Sequence, residues 1–203
     1  MIAPPERSPE RDAAIEALLP NVPFDGWTMR ALRAGLRAIG QPEADAELLF
    51  PGGAADMVEA YCDLADRRME EAAAGLDLAA MRLPERVRAV LALRLRQNRG
   101  HKEAVRRAVG LLAVPRHAGL AARCTARTVD AVWHAVGDRT ADFSWYTKRA
   151  ILASIYTATV LFWIRDQSED DAATLAFLDR RLAELGRITR LRRRVAGRFR
   201  RRA

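Results

Sequence analysis

Residues 150–164 read AILASIYTATVLFWI, an uncharged run bounded by Arg149 and Arg165. A helix needs roughly 20 apolar residues to cross a bilayer, so this run is too short for a span. It is expected to be a central core helix packed on most faces, and the rest of the chain has to supply the surfaces that cover it. A chain of 203 residues is long enough for one principal core. Its usage is rich in Ala, Leu and Arg, with Gly and Pro gathered at a few places, which reads as all-α.

Helical periodicity and stop signals divide the chain. Ser8 or Pro9 starts a first helix that Pro20 and Pro23 are expected to terminate. A second helix is capped near Thr28 and stopped by Gly40; a short one with Pro42 in its first turn closes at the PGG of 51–53. Longer helices follow over 54–74, 83–98, 102–112 and 118–136, the last stopped by Gly137. The uncharged helix begins at Asp142 or Ser144 and runs through Arg165; another follows with Ser168 as its cap and Glu169, Asp170 and Asp171 at the positive end of its dipole. The expected organisation is an N-terminal helix-turn-helix-like unit over 1–53, a helical body over 54–186 and a basic amphipathic helix over 187–203.

The net charge of +8 is unevenly placed. Nine arginines and no acid follow Glu184, which leaves residues 1–184 at about −1. In that tail Ile188, Leu191, Val195 and Phe199 share one helical face, while Arg190, Arg194 and Arg198 lie among the basic residues on the others. An anionic leaflet attracts each nearby basic residue by on the order of 1 kcal/mol, so the tail is expected to bind an anionic membrane surface. A helix-turn-helix unit would instead suggest a DNA-binding regulator, with 43–49 as recognition helix. That segment, EADAELL, carries Glu43, Asp45 and Glu47 in place of groups that reach phosphates and base edges, which disfavours nucleic acid as a partner.

Catalytic and metal signatures are weak. Cys62 and Cys124 lie far apart and read as reduced apolar residues; His101, His117 and His134 are scattered, and no metal-ligand spacing occurs. No GxGxxG, Walker A or GxSxG pattern is found, and no cofactor is expected. His134 and Asp138, at helical spacing, form the only acid-base pair in view and read more simply as a local hydrogen bond. Tyr156, Thr157, Thr159 and Trp163 place polar tips in the uncharged helix, and Met29, Met57, Met69 and Met81 supply adaptable apolar surface, an arrangement compatible with a cavity between helices.

The blocks VDAVWHAVGD at 129–138 and DFSWYTKRAILASIY at 142–156, the D-x-S of Asp166 to Ser168 and the T-x-x-FL-x-x-R of Thr174 to Arg181 resemble the ubiquinone-biosynthesis accessory family, the ninth of the Coq proteins. The GWT at 26–28 and the turn from Phe50 to Gly53 are similar too. The resemblance implies a TetR-family-like helical bundle without DNA binding, a homodimer, and a non-catalytic protein. Such a protein binds isoprenoid quinone intermediates or phospholipid and presents substrate to the demethoxyubiquinone hydroxylase. It implies a lipid site at Arg149, extended along the helix to Leu152, Tyr156 and Trp163, and a partner-binding patch of Asp142, Trp145 and Tyr146. Mitochondrial members begin with a targeting peptide and continue past the last helix, whereas MIAPPERSPERDAA has no such character and Ala203 ends in arginines. The expectation is therefore a bacterial protein, peripheral on the cytoplasmic face of the inner membrane.

Overall fold

The computed structural model describes residues 3–137 and 144–184, and its regular structure there is all helical. The helices are α1 (Pro9–Leu18), α2 (Val22–Asp25), α3 (Met29–Ala38), α4 (Asp45–Leu49), α5 (Gly53–Ala73), α6 (Leu83–Gln97), α7 (Lys102–Leu112), α8 (Ala118–Ala135), α9 (Ser144–Trp163) and α10 (172–184).

Local chemistry sets most of these boundaries. Ser8 Oγ accepts the Arg11 N–H at 3.2 Å and Thr28 Oγ1 accepts that of Ala31 at 3.2 Å, capping α1 and α3. Gly40 takes a φ of +74° after α3, and the Gln41 N–H reaches back to Leu36 O at 2.9 Å, a Schellman closure that a side chain at Gly40 would strain. As expected, α1 ends at Leu18 just ahead of Pro20 and Pro23, but helical turns continue beyond it. Each proline sits in the first turn of a new short element, a 3₁₀ turn over Leu19–Asn21 and then α2, where a missing N–H leaves no helical bond unmade. Pro42 likewise lies in the turn ahead of α4, its carbonyl accepting from Asp45 N at 3.2 Å, so α4 is only five residues long.

The 21-residue α5 joins two apolar clusters. Its first half packs with α1, α3 and α7 around Ile15, Leu18, Leu32, Leu36, Phe50 and Met57. Its second half contributes Met69 to a cluster with Val90, Leu91, Val132, Leu152 and Leu178 from α6, α8, α9 and α10. The α1–α3 crossing is close, because Gly35 brings α3 onto the backbone of Ala17 and Leu18. Buried Arg11 ties α1 to the α4–α5 junction. Its guanidinium donates to Leu49 O and to Asp56 Oδ1 (2.6 Å) and lies 4.3 Å from the Phe50 ring centroid.

The uncharged helix α9 departs from the expectation of burial on most faces. Leu152, Ile155, Thr159 and Trp163 form its buried stripe, whereas Ala150, Ser154, Thr157 and Leu161 form an exposed one. Missing charge marks both faces alike, so the run of apolar letters does not reveal which face is covered. The α9–α10 corner also differs. Glu169–Asp171 form a 3₁₀ turn, with Asp170 and Asp171 at φ of +53° and +57°, and precede α10 rather than forming its first turn. The turn is held by Asp166, whose Oδ1 accepts the Ser168 N–H (2.8 Å) and whose Oδ2 accepts the N–H (2.8 Å) and hydroxyl of Thr174. Partial burial acts to raise the Asp166 pKa, but the hydrogen bonds from Thr174 and Ser168 outweigh it and hold the carboxylate well below its usual range. Asp166→Ala is expected to cost about 1–2 kcal/mol, as loss of a helix cap does, seen as a lower urea midpoint at pH 7. Because the folded-state pKa is depressed, that contribution is present above about pH 4 and fades as the pH falls further, so the variant and the parent converge in acid.

Candidate functional site

A cavity of about 310 Å³ lies between α5, α6, α7, α8 and α9. Small side chains create the space: Ala108 and Ala113 from α7 and its end, and Ala121 and Thr125 from α8, face larger groups on α6 and α9 that do not reach across. Leu95, Val105, Val109, Leu112 and Val160 make most of the wall apolar. Ala113, Thr157 and Leu161 line it and are themselves exposed, Leu161 by 47%, so the cavity opens between the end of α7 and α9.

One part of the wall is polar. Arg94 of α6 and Asp66 of α5 are 5% and 6% exposed, and Arg94 Nη2 lies 3.0 Å from Asp66 Oδ1. The contact is an ion pair by distance but is not aligned as a hydrogen bond, so Asp66 Oδ1 and Arg94 Nε and Nη1 have no hydrogen-bond partner. Asp66 Oδ2 accepts from Thr128 Oγ1 at 3.0 Å. Burial pushes the Asp66 carboxyl up to about 6 against the pull of Arg94 and Thr128. Burial also works against the Arg94 charge, but Asp66 and the neighbouring Tyr156, Cys62 and Tyr61 outweigh it and the net shift is upward. Both groups are therefore charged at neutral pH, and the pair is net neutral.

Tyr61 Oη donates to Asn98 Oδ1, and Asn98 Nδ2 donates to Arg94 O at 2.7 Å, which fixes that corner of the wall. Cys62 is half-buried and Cys124 buried; both line the cavity as free thiols. The interaction between the two thiols and burial push Cys62 up; the same interaction draws Cys124 down, helped by Arg127, whose Nη2 is 3.7 Å from Cys124 Sγ.

Of the residues singled out for lipid, Tyr156 and Trp163 line this cavity. Leu152 is buried in the second apolar cluster, and Arg149 pairs through Nε with Asp130 Oδ1 of α8 at 2.5 Å, at the other end of α9. The cation on the wall is instead Arg94, which periodicity marks: it follows Val87, Val90 and Leu91 by seven, four and three residues and so falls on the apolar stripe of α6. Tyr146 is 73% exposed near the start of α9. Asp142, the side chain of Trp145, Asp138 and the tail residues Ile188, Arg190, Leu191, Arg194, Val195, Arg198 and Phe199 lie outside the described residues. His134 Nδ1 is 2.9 Å from Glu70 Oε1 on an exposed surface away from the cavity. Among the described residues no group of three or more His, Cys, Asp or Glu could hold a metal ion, and no helix is long and apolar enough to cross a membrane.

Glu43, in the turn ahead of α4, and Glu47 of α4 do not project free. They pair with Arg37 (2.7 Å) and Arg33 of α3.

The fold is that of TetR-type regulators. A solved TetR transcriptional regulator from Nitrosomonas europaea superimposes with a TM-score of 0.70 over 87% of this chain and 98% of its own, at 22% identity. A family model described as COQ9 matches residues 118–189. The mitochondrial ubiquinone biosynthesis protein COQ9 of Rattus norvegicus is 31% identical over 83% of this chain and 56% of its own length; that of Homo sapiens is 30% identical over 83% and 55%, and that of Drosophila melanogaster 31% over 86% and 54%. The chain thus spans a little over half the length of these curated relatives. They are mitochondrial proteins of eukaryotes, which overturns the expectation of a bacterial protein on the cytoplasmic face of the inner membrane. The blocks from Val129 to Arg181 that carried the resemblance fall inside the matched segment, and the chain belongs to the COQ9 family.

Proposed function

We propose that this chain serves ubiquinone biosynthesis as a non-catalytic lipid-binding accessory protein. The observation that carries this reading is the cavity, with its apolar wall, its mouth beside α9 and its single buried ion pair. A space of about 310 Å³ is at the small end of ligand pockets, enough for the head and first units of an isoprenoid quinone intermediate or part of a phospholipid, with the remaining chain leaving past Leu161. No cofactor is needed for this role.

The partner that receives the ligand is proposed to be the demethoxyubiquinone hydroxylase, docking on Asp142, Trp145 and Tyr146. Exposed Tyr146, an amphipathic aromatic of the kind that anchors interfaces, supports that placement. The cationic segment 187–203, whose apolar residues recur at helical spacing in the sequence, is proposed to hold the protein on an anionic membrane surface. Exposed, uncharged Ala150 and Ser154, nearer the start of α9 than the mouth at Leu161, offer a surface for a second copy, in keeping with a homodimer. The relationship to a TetR regulator extends to the fold alone. The ion pairs of Arg33 and Arg37 with Glu47 and Glu43 leave carboxylates, in α4 and the turn before it, where a recognition helix would carry donors.

Organic extraction of the purified protein followed by mass spectrometry tests the reading. It predicts a co-purifying prenylated quinone, quinone precursor or phospholipid near one per chain; protein free of lipid when prepared from lipid-replete membranes contradicts it. Tyr146→Ala is expected to reduce capture of the hydroxylase severalfold in a pull-down while the bound lipid stays unchanged.

A further inference from the structure

The polar part of the cavity wall has donors that the chain itself does not use. Arg94 lines the cavity, yet its Nε and Nη1 make no hydrogen bond. Buried polar groups are almost always paired, and an unpaired charged donor is among the more costly exceptions, so these N–H groups call for an acceptor that sits in the cavity. The neighbouring polar atoms do not provide it: the Tyr156 hydroxyl lies beside the guanidinium but makes no hydrogen bond to Nε or Nη1. The Tyr61 hydroxyl is spent on Asn98, the Asn98 amide on Arg94 O, and the Thr128 hydroxyl on Asp66.

The charge at this wall is already balanced. Asp66 Oδ1 stands 3.0 Å from Arg94 Nη2, Arg127 is occupied by Glu59 at 2.6 Å, and Lys102 by Asp171 at 3.2 Å. An anionic head entering here would meet a buried carboxylate with no spare cation, and would lose its hydration as well. A neutral oxygen would gain a charged donor and add no charge.

Resting on the lipid-binding reading above, we propose that Arg94 is the head-group anchor of the cavity and that its ligand is a neutral lipid bearing a carbonyl or hydroxyl oxygen. One of the two unpaired donors, Nη1–H or Nε–H, which lie on different edges of the guanidinium, donates to that oxygen. Asp66 is a positioning residue that holds the guanidinium and keeps the site electrically neutral. The apolar chain lies along Val109, Leu112 and Val160 toward the mouth at Leu161.

The test is displacement of Nile red from the full chain by three probes: a benzoquinone carrying two prenyl units, farnesene as a hydrocarbon of similar shape without oxygen, and palmitate as an anion. The parent protein is expected to bind the quinone at least about tenfold more tightly than either of the others. In the Asp66→Asn/Arg94→Met variant, which leaves no buried charge unpaired, quinone affinity should fall by about 10–100-fold, the loss of one charge-assisted hydrogen bond, with farnesene unchanged. Arg94→Lys keeps the charge opposite Asp66 but has no fork, and should show the same selective loss. Quinone affinity retained in both variants, an equal loss for quinone and farnesene, or tighter binding of palmitate than quinone to the parent would overturn the proposal. Failure of every probe, and of Nile red itself, to bind the parent would overturn the lipid-binding reading beneath it.

Discussion

Asp66→Ala is expected to lower the stability of the folded chain by about 3–5 kcal/mol, because it leaves the Arg94 guanidinium buried with no counter-charge. The magnitude follows from the enclosure of both groups, 6% and 5% exposed, and from the 3.0 Å contact between them. Removing both charges together, as in Asp66→Leu/Arg94→Met, should cost far less, since the desolvation of each ion disappears with the ion. Urea denaturation of the single and double variants measures the difference; equal losses in both would show that the pair acts by packing alone.

The same carboxyl gives a pH signature. Burial pushes Asp66 up to about 6, above the roughly 3.9 of an unfolded aspartate. Between those values the folded chain keeps a proton that the unfolded chain has lost. The Asp66 contribution to stability therefore falls as the pH rises from about 4 to about 6 and is level above, a change on the order of 2–3 kcal/mol. Stability measured at several pH values should show this slope in the parent relative to Asp66→Asn, whose amide does not titrate.

Gly35→Ala is the second large effect, and its sign is opposite to that at an ordinary helix position. Replacing an exposed mid-helix glycine with alanine usually stabilises by about 1 kcal/mol. At Gly35 the added Cβ would stand 2.5 Å from Ala17 O, 2.7 Å from Ala17 C and 2.9 Å from Leu18 N. All three are backbone atoms of α1 and its end, so no side chain can swing aside. The crossing must open, and with it the packing of Ile15, Leu18, Leu32 and Leu36. A loss of about 2–3 kcal/mol is expected, read as a lower thermal midpoint. Lipid content below the transition should be unaffected, since none of these residues lines the cavity.

The helices were largely legible because their ends are written in local chemistry. Ser8 and Thr28 supply caps, and Gly40 and Gly137 take the positive φ that ends a helix. The pleated corner at Asp170 and Asp171 was not legible. An acidic run after a serine reads as a helix start, whereas here Asp171 turns aside to meet Arg99 at 2.9 Å and Lys102 at 3.2 Å, contacts with residues distant in sequence. The cavity was hidden for a related reason. Ala108, Ala121 and Thr125 look like ordinary helix residues, and only the packing of α7 and α8 against α9 turns their small size into a void. Arg94 sat in plain view within LALRLRQ, but its neighbours Arg86, Arg88 and Arg96 made it look like one more solvated cation. Its register with Val87, Val90 and Leu91 was the available signal. Arg149 drew attention through its place ahead of the uncharged run, and the structure ties it to Asp130 instead of the cavity wall.

The claim that this cavity is the lipid site is tested most directly by filling it. Ala121 and Thr125 are one turn apart on α8 and both face the void. In an Ala121→Phe/Thr125→Phe variant, with helicity confirmed by circular dichroism, quantitative mass spectrometry of extracted lipid should show a drop of about tenfold or more from the near one-per-chain content of the parent. Unchanged lipid content in the filled variant would place the lipid elsewhere and contradict the account.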